Sequence, residues 1–163
     1  MAFIGVITSN KNEEVLKKSI ENIVKNCSEK HRVIILTEEN IQNMKNIKFN
    51  SIIINKENKI VENQKNVLKQ ILKNTKYLII NTDIYKKMEI MQNINITVIT
   101  YGYNLKATVT ASSINEERIL LCIQRNIQIN GKSNIEPKEI YVDIIENDIY
   151  TTMCANVVRF IYQ

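Results

Sequence analysis

Short, almost uninterrupted apolar runs alternate along the first half of the chain with longer segments whose apolar residues recur every three or four positions. Residues 2–8 (AFIGVIT), 32–37 (RVIILT), 49–55 (FNSIIIN), 76–82 (KYLIINT) and 96–101 (ITVITY) are the short runs. Their length and their wealth of Ile and Val predict strands buried on both faces. Between them, residues 13–27 put Val15, Leu16, Ile20, Ile23 and Val24 on one helical stripe with Lys and Glu opposite. Residues 61–74 do the same with Val67, Leu68, Ile71 and Leu72, and residues 38–44 and 85–92 predict shorter helices. Strands separated by helical stretches imply parallel βαβ crossovers, which, when right-handed, build a Rossmann-like core.

The second half changes pattern. Residues 107–114 and 118–129 are separated only by residues 115–117, which predicts a hairpin. Asn130-Gly131 is a turn signal, and residues 139–145 alternate as a further strand. Asn147 or Asp148 can cap a last helix that turns Ile149, Met153, Val157, Phe160 and Ile161 inward. With 163 residues, no internal repeat, three Gly and one Pro, the expectation is one domain spanning residues 1–163. The predicted fold class is α/β: a three-layer parallel sheet extended by C-terminal antiparallel hairpin strands and a final helix. Ile119 and Leu120 point to opposite faces of the hairpin, so both faces are expected to need cover, with self-association one way to supply it.

Composition narrows the function. The net charge of +5 suggests a nucleic-acid partner only if the basic residues gather on one face. They do not cluster in sequence: Lys17 with Lys18 and Lys86 with Lys87 are the longest basic runs, four residues are Arg, and there is no Trp for base stacking. Nucleic acid is therefore not the expected partner. Cys27, Cys122 and Cys154 lie in apolar contexts without C-x-x-C spacing and read as buried free thiols of a reducing, cytoplasmic compartment. His31 is the single histidine, so no metal site is expected, and no cofactor is implied. No basic leader segment and no span of ~20 apolar residues is present, so neither secretion nor a membrane crossing is expected.

Three stretches resemble the central, ATP-binding domain of the Mur ligases. Residues 4–12 (IGVITSNKN) are similar to that family's strand and P-loop, roughly I-G-V-T-G-T-N-G-K-T. Residues 78–83 (LIINTD) are similar to its N-x-D-D strand end, and the next strand closes with Ile99-Thr100-Tyr101-Gly102. Residues 147–158 (NDIYTTMCANVV) are similar to the segment H-N-x-x-N-x-x-A-A. The resemblance implies a nucleotide-binding layout and a link to cell-envelope or spore-wall biology.

The same comparison exposes a defect. A P-loop closes successive backbone N–H groups around phosphate, uses Lys to neutralise it and Ser or Thr to hold Mg²⁺. Here Thr8 stands for the first loop glycine, Lys11 for the second, Asn12 for the lysine, and Glu13 and Glu14 for the hydroxyl pair. Two carboxylates would repel a triphosphate at that distance. The stretch also reads as an ordinary helix start, with Asn10 or Asn12 as cap and the glutamates favoured by the helix dipole.

These features predict a non-catalytic binding or scaffold protein, a pseudoenzyme with a protein partner or self-association. The alternative is a sensor or enzyme binding a nucleotide or small anion at the carboxyl end of the first strand. The candidate ligand residues are Thr8, Ser9, Asn10 and Lys11, then Asn81 and Asp83, then Tyr101, Asn104 and Lys106. For Asn81 and Asp83 the preferred reading is that they cap the following helix. No catalytic residue is assigned. His31 precedes a strand on the side away from the expected crevice, with no matching nucleophile in sequence.

Overall fold

The computed structural model describes residues 1–85, 89–129, 131 and 133–163. Among the described residues, eight strands form a single sheet: β1 (Ala2–Ile7), β2 (His31–Ile35), β3 (Ser51–Ile54), β4 (Tyr77–Asn81), β5 (Thr97–Tyr101), β6 (Val109–Ile114), β7 (Arg118–Ile123) and β8 (Lys138–Asp143). Their order is β2-β1-β3-β4-β5-β6-β7-β8. The strands from β2 to β6 are parallel, and β6-β7-β8 run antiparallel. From β1 the chain goes first to one side and then to the other, so the winding direction reverses between β1 and β3.

The helices are α1 (Glu13–Val24), α2 (Ile41–Met44), α3 (Ile60–Asn63), α4 (Lys65–Lys73) and α5 (Ile149–Tyr162). Strand alternation divides the apolar residues into two cores. Ile4, Val6, Ile53, Ile79 and Ile99 pack under α1 and α5, while Ile7, Ile52, Ile54, Leu78 and Ile80 pack under α2, α3 and α4. The first core continues across the antiparallel half through Ile119, Leu121 and Ile123. Gly5 in β1 keeps the second core closed: a Cβ there would lie 2.5 Å from Ile52 Cδ1 and 3.0 Å from Leu36 Cδ1.

The junction between the two halves of the sheet is made without a crossover helix. After Tyr101 the chain loops through residues 102–108 and returns parallel, setting Val109 beside Tyr101. Thr108 N donates to Thr100 Oγ1 at 2.8 Å, and the two threonine hydroxyls lie 3.1 Å apart. Gly102 at φ +153° permits the turn, and a Cβ there would strike the Asp83 carboxyl group at 2.7 Å.

Several elements are shorter than the periodicity predicts. The helix expected over residues 61–74 is two pieces, because Gln64 leaves the helical region (φ −116°, ψ 29°). The segment 38–44 is helical only from Ile41, since Thr37 and Asn40 first close a turn in which Thr37 N donates to Asn40 Oδ1. Of the helix expected over 85–92, residues 86–88 lie outside the described residues and Glu89–Met91 is a 3-10 turn. The strand expected to reach residue 129 stops at Ile123, where β8 ends as its partner; beyond it Ile127 bridges Ile135 and the chain dips into the core. Asn130 of the expected turn is outside the described residues, and Gly131 has φ +80°.

Two expectations about burial are corrected. Cys154 is buried, but Cys27 and Cys122 are only partly so, because Cys27 follows the end of α1 and Cys122 faces away from the core. The hairpin is covered on one face only. Ile119 is fully buried whereas Leu120 is half-buried, and Tyr141 beside it in register is exposed. Among the described residues, no helix is long and apolar enough to cross a membrane.

Candidate functional site

Thr8, Asn55, Asn81 and Tyr101 end or follow β1, β3, β4 and β5, and the sheet register sets them in one row. All four are buried, at 1% exposure or less. A row of polar groups inside an apolar sheet persists only if the groups pair with one another. Asn81 Nδ2 donates to the Asn55 carbonyl at 3.0 Å, and the Tyr101 hydroxyl donates to Asn55 Oδ1. The pairing is incomplete: Thr8 Oγ1 and Asn55 Nδ2 have no partner among the described residues.

The start of α5 lies over this row. Asp148 is the N-cap, with Thr151 N donating to Oδ1 at 3.2 Å and the Thr151 hydroxyl to Oδ2 at 3.1 Å. Its carboxylate also receives Lys56 Nζ, in an ion pair whose side chains are 23% and 14% exposed, and Asn12 Nδ2 at 2.6 Å. Ser9 in turn donates to Asn12 Oδ1 at 2.9 Å. Asn12 occupies the N-cap position of α1 without capping it, because its side chain is engaged by Asp148 and Ser9. The neighbouring Lys11 and Asn10 sit exposed on a 3-10 turn, so neither they nor Lys11 in particular joins the cluster.

Among the described residues, Asp83 bonds across the fold rather than to a following helix. Its carboxylate receives Tyr103 N at 2.6 Å, Asn104 N at 3.2 Å and the Tyr150 hydroxyl at 3.1 Å. Tyr103 and Tyr150 meet edge to face, 5.8 Å between centroids. Asp83 therefore pins the 102–108 loop to α5. Asn104 Oδ1 receives Lys106 N within that loop, and Lys106 is exposed with its carbonyl held by Arg125. Asn81 makes the local turn expected of a cap, its Oδ1 receiving Asp83 N at 3.0 Å. Of the residues predicted from sequence, Thr8, Asn81 and Tyr101 share the row, Ser9 touches its edge, and Asp83 and Asn104 form a second cluster beside it. Asn10, Lys11 and Lys106 belong to neither.

Sequence reading missed Asn55, Lys56, Asn58 and Tyr150, and it treated Asp148 only as a cap. Asn55 was legible in principle as a polar residue closing an apolar strand. Asn58 was not: its Nδ2 donates to the Thr8 carbonyl at 2.7 Å across fifty sequence positions. The Tyr85 hydroxyl steadies the same loop, donating to the Lys56 carbonyl and accepting from Asn58 N, each at 3.0 Å.

Beside the row, a cleft of about 520 Å³ opens at the carboxyl ends of β1, β2 and β3, where open α/β sheets bind ligands. Its walls carry the predicted Ser9 and Asn10, and Glu13, Glu38, Glu39 and Glu57 against Lys59. The field there is negative and opposes an anion.

Burial raises the acid groups around the row. Tyr150 is pushed up to about 12, by burial first and then by its bond to Asp83, and Cys154 to about 12 by burial. Tyr101 is raised well above its ordinary value by burial, with Cys154 and Asp148 adding to it. A raised folded-state value means the neutral form is the one the fold favours. The stability it contributes is complete below the ordinary values of 10 for Tyr and 9 for Cys, and is lost as pH rises toward about 12. The urea midpoint is expected to fall steadily from pH 9 upward (about where Cys begins to ionise); a flat midpoint up to the point of alkaline hydrolysis would contradict this burial.

Fold and site together define a class: an open α/β domain whose strand-end polar groups are largely satisfied by its own side chains. The chain matches no model of a known protein family and no curated protein sequence.

Proposed function

We propose that this chain is a non-catalytic binding or scaffold domain on a Rossmann-like plan, of the degenerate Mur-ligase central-domain type, acting through a protein partner in cell-envelope or spore-wall biology. The observation that carries the non-catalytic reading is Asp148. Its carboxylate takes the Lys56 ammonium, the Asn12 amide and the Thr151 donors that would otherwise be offered to an anion. The adjoining cleft repels phosphate with four glutamates. The Mur-type reading is supported by the order of elements, antiparallel strands leading into a closing helix capped by Asp148.

One observation favours a second reading, a sensor or enzyme that takes a nucleotide or small anion. Thr8 Oγ1 and Asn55 Nδ2 are buried polar atoms without partners among the described residues, and a water or a bound molecule would complete them. A thermal-shift titration with ATP and ADP, with and without Mg²⁺, separates the two. A ligand that binds only the folded state raises the midpoint. The expected result is no rise at millimolar nucleotide; a saturable rise that depends on Asn55 would replace the first reading with the second.

A further inference from the structure

The opposite end of the sheet holds a separate cavity of about 170 Å³, at the amino ends of β2, β3 and β4 and beneath the last turn of α5. Its chemistry is divided by side. Glu29 comes from the connection between α1 and β2 and His31 opens β2, while Asn50 and Lys76 come from the residues preceding β3 and β4. The latter two are adjacent through the bond from Tyr77 N to the Asn50 carbonyl at 3.0 Å. Ile129 and Ile161 supply an apolar wall.

The cavity is rigidly built. The His31 ring stands edge-on to Tyr162, 4.8 Å between centroids at 77°. The Tyr162 hydroxyl lies 2.6 Å from Ser51 Oγ, and its carbonyl accepts from the Cys27 thiol at 3.3 Å. Gln163 ties the same helix end to the Ile23 carbonyl at 2.7 Å. Within this frame several polar groups are unspent. His31 Nδ1 is buried and has no hydrogen-bond partner among the described residues. Glu29 and Lys76 make no ion pair with another described residue, and the Asn50 side-chain amide makes no hydrogen bond with one. A buried ring nitrogen with no partner costs free energy unless a ligand or water completes it.

We propose that this cavity is a binding site for a small zwitterion, a free amino acid with an aliphatic side chain. Lys76 and the Asn50 amide receive its carboxylate, Glu29 and His31 Nδ1 receive its ammonium group, and the side chain lies against Ile129 and Ile161. The volume suits so small a ligand, below the roughly 300–1,000 Å³ of drug-sized and cofactor pockets. The separation of acceptor and donor sides selects a dipolar molecule over an anion or a cation alone. This site is independent of the strand-end cluster and of the reading built on it.

His31 is the single histidine, so its imidazole proton signals report on the cavity without ambiguity. L-Leucine titrated into the isotope-labelled protein is expected to shift them saturably. 4-Methylpentanoate, which lacks the ammonium group, and isoamylamine, which lacks the carboxylate, are each expected to bind at least about tenfold more weakly, the loss of one charge-assisted hydrogen bond. Glu29→Gln and Lys76→Ala, both at exposed positions, are each expected to weaken L-leucine to a similar degree with the fold retained. An unmoved His31 signal at millimolar L-leucine overturns the proposal. Equal binding of all three compounds, or undiminished binding in both variants, overturns it as well.

Discussion

Asp148→Ala is expected to lower the free energy of unfolding by about 3 kcal/mol, a large fraction of the stability of a small domain. Two losses combine. An N-cap carboxylate replaced by alanine costs roughly 1 kcal/mol. The larger part comes from Lys56, whose ammonium group remains mostly buried with its counter-charge gone. Breaking a fully buried pair costs roughly 3–5 kcal/mol, and the residual exposure of 23% and 14% on these side chains reduces that figure. Asn12, which donates to the same carboxylate, is left without its partner too. Urea unfolding at an unchanged slope measures the effect directly. The variant carrying both Lys56→Met and Asp148→Ala is expected to recover more than about 1 kcal/mol, because the stranded charge is removed with it. A single-variant loss no larger than that of an ordinary cap would show that the pair behaves as a surface ion pair and would remove the main support for the self-satisfied crevice.

Ile119→Ala and Leu120→Ala are expected to differ by at least about 2 kcal/mol although they are neighbours in β7. Ile119 is fully enclosed by the core under α5, and truncating it should cost roughly 2–5 kcal/mol through lost burial and a residual cavity. Leu120 faces the uncovered side, opposite Ser113 in β6 and Tyr141 in β8, and should cost under about 1 kcal/mol. The comparison is also a test of self-association. If a second copy covered that face, Leu120→Ala would cost as much as Ile119→Ala and would shift the mass measured by light scattering toward monomer. Antiparallel sheets commonly leave one face to solvent, and the ion pair between Arg118 and Asp143 on this face is consistent with that arrangement.

The parallel half of the sheet was legible because both faces of each strand are buried there. Apolar runs such as residues 51–54 are short for a buried helix and rich in β-branched Ile, which favours a strand covered on both faces. The α1 stripe was legible for the related reason that one helix face meets the sheet and the other meets water, giving buried Leu16, Ile20, Ile23 and Val24. Helix ends and breaks were not legible in the same way. Gln64 interrupts a continuous helical period, and nothing in its local propensity marks it.

The site was legible only in part. Thr8, Asn81 and Tyr101 stand out as polar or aromatic residues closing strands, and an α/β fold gathers strand ends at one crevice. Their partners are not encoded at any fixed spacing. Asn12 meets Asp148 across 136 positions, and Tyr150 meets Asp83 across 67. Asp83 looked like a local cap and instead holds the 102–108 loop, because that loop places two backbone N–H groups against its carboxylate.

By itself, then, the sequence determined the α/β class, the succession of strands and helices and the inward faces. These follow from local periodicity and from the conformational limits of single residues. The strand order, the one-sided cover of the antiparallel half, the neutralisation of Lys56 by Asp148 and the cavity around His31 were decided by tertiary structure alone. Each depends on which distant segments share a small volume, and burial energy there is a property of the assembled packing rather than of any short window of residues.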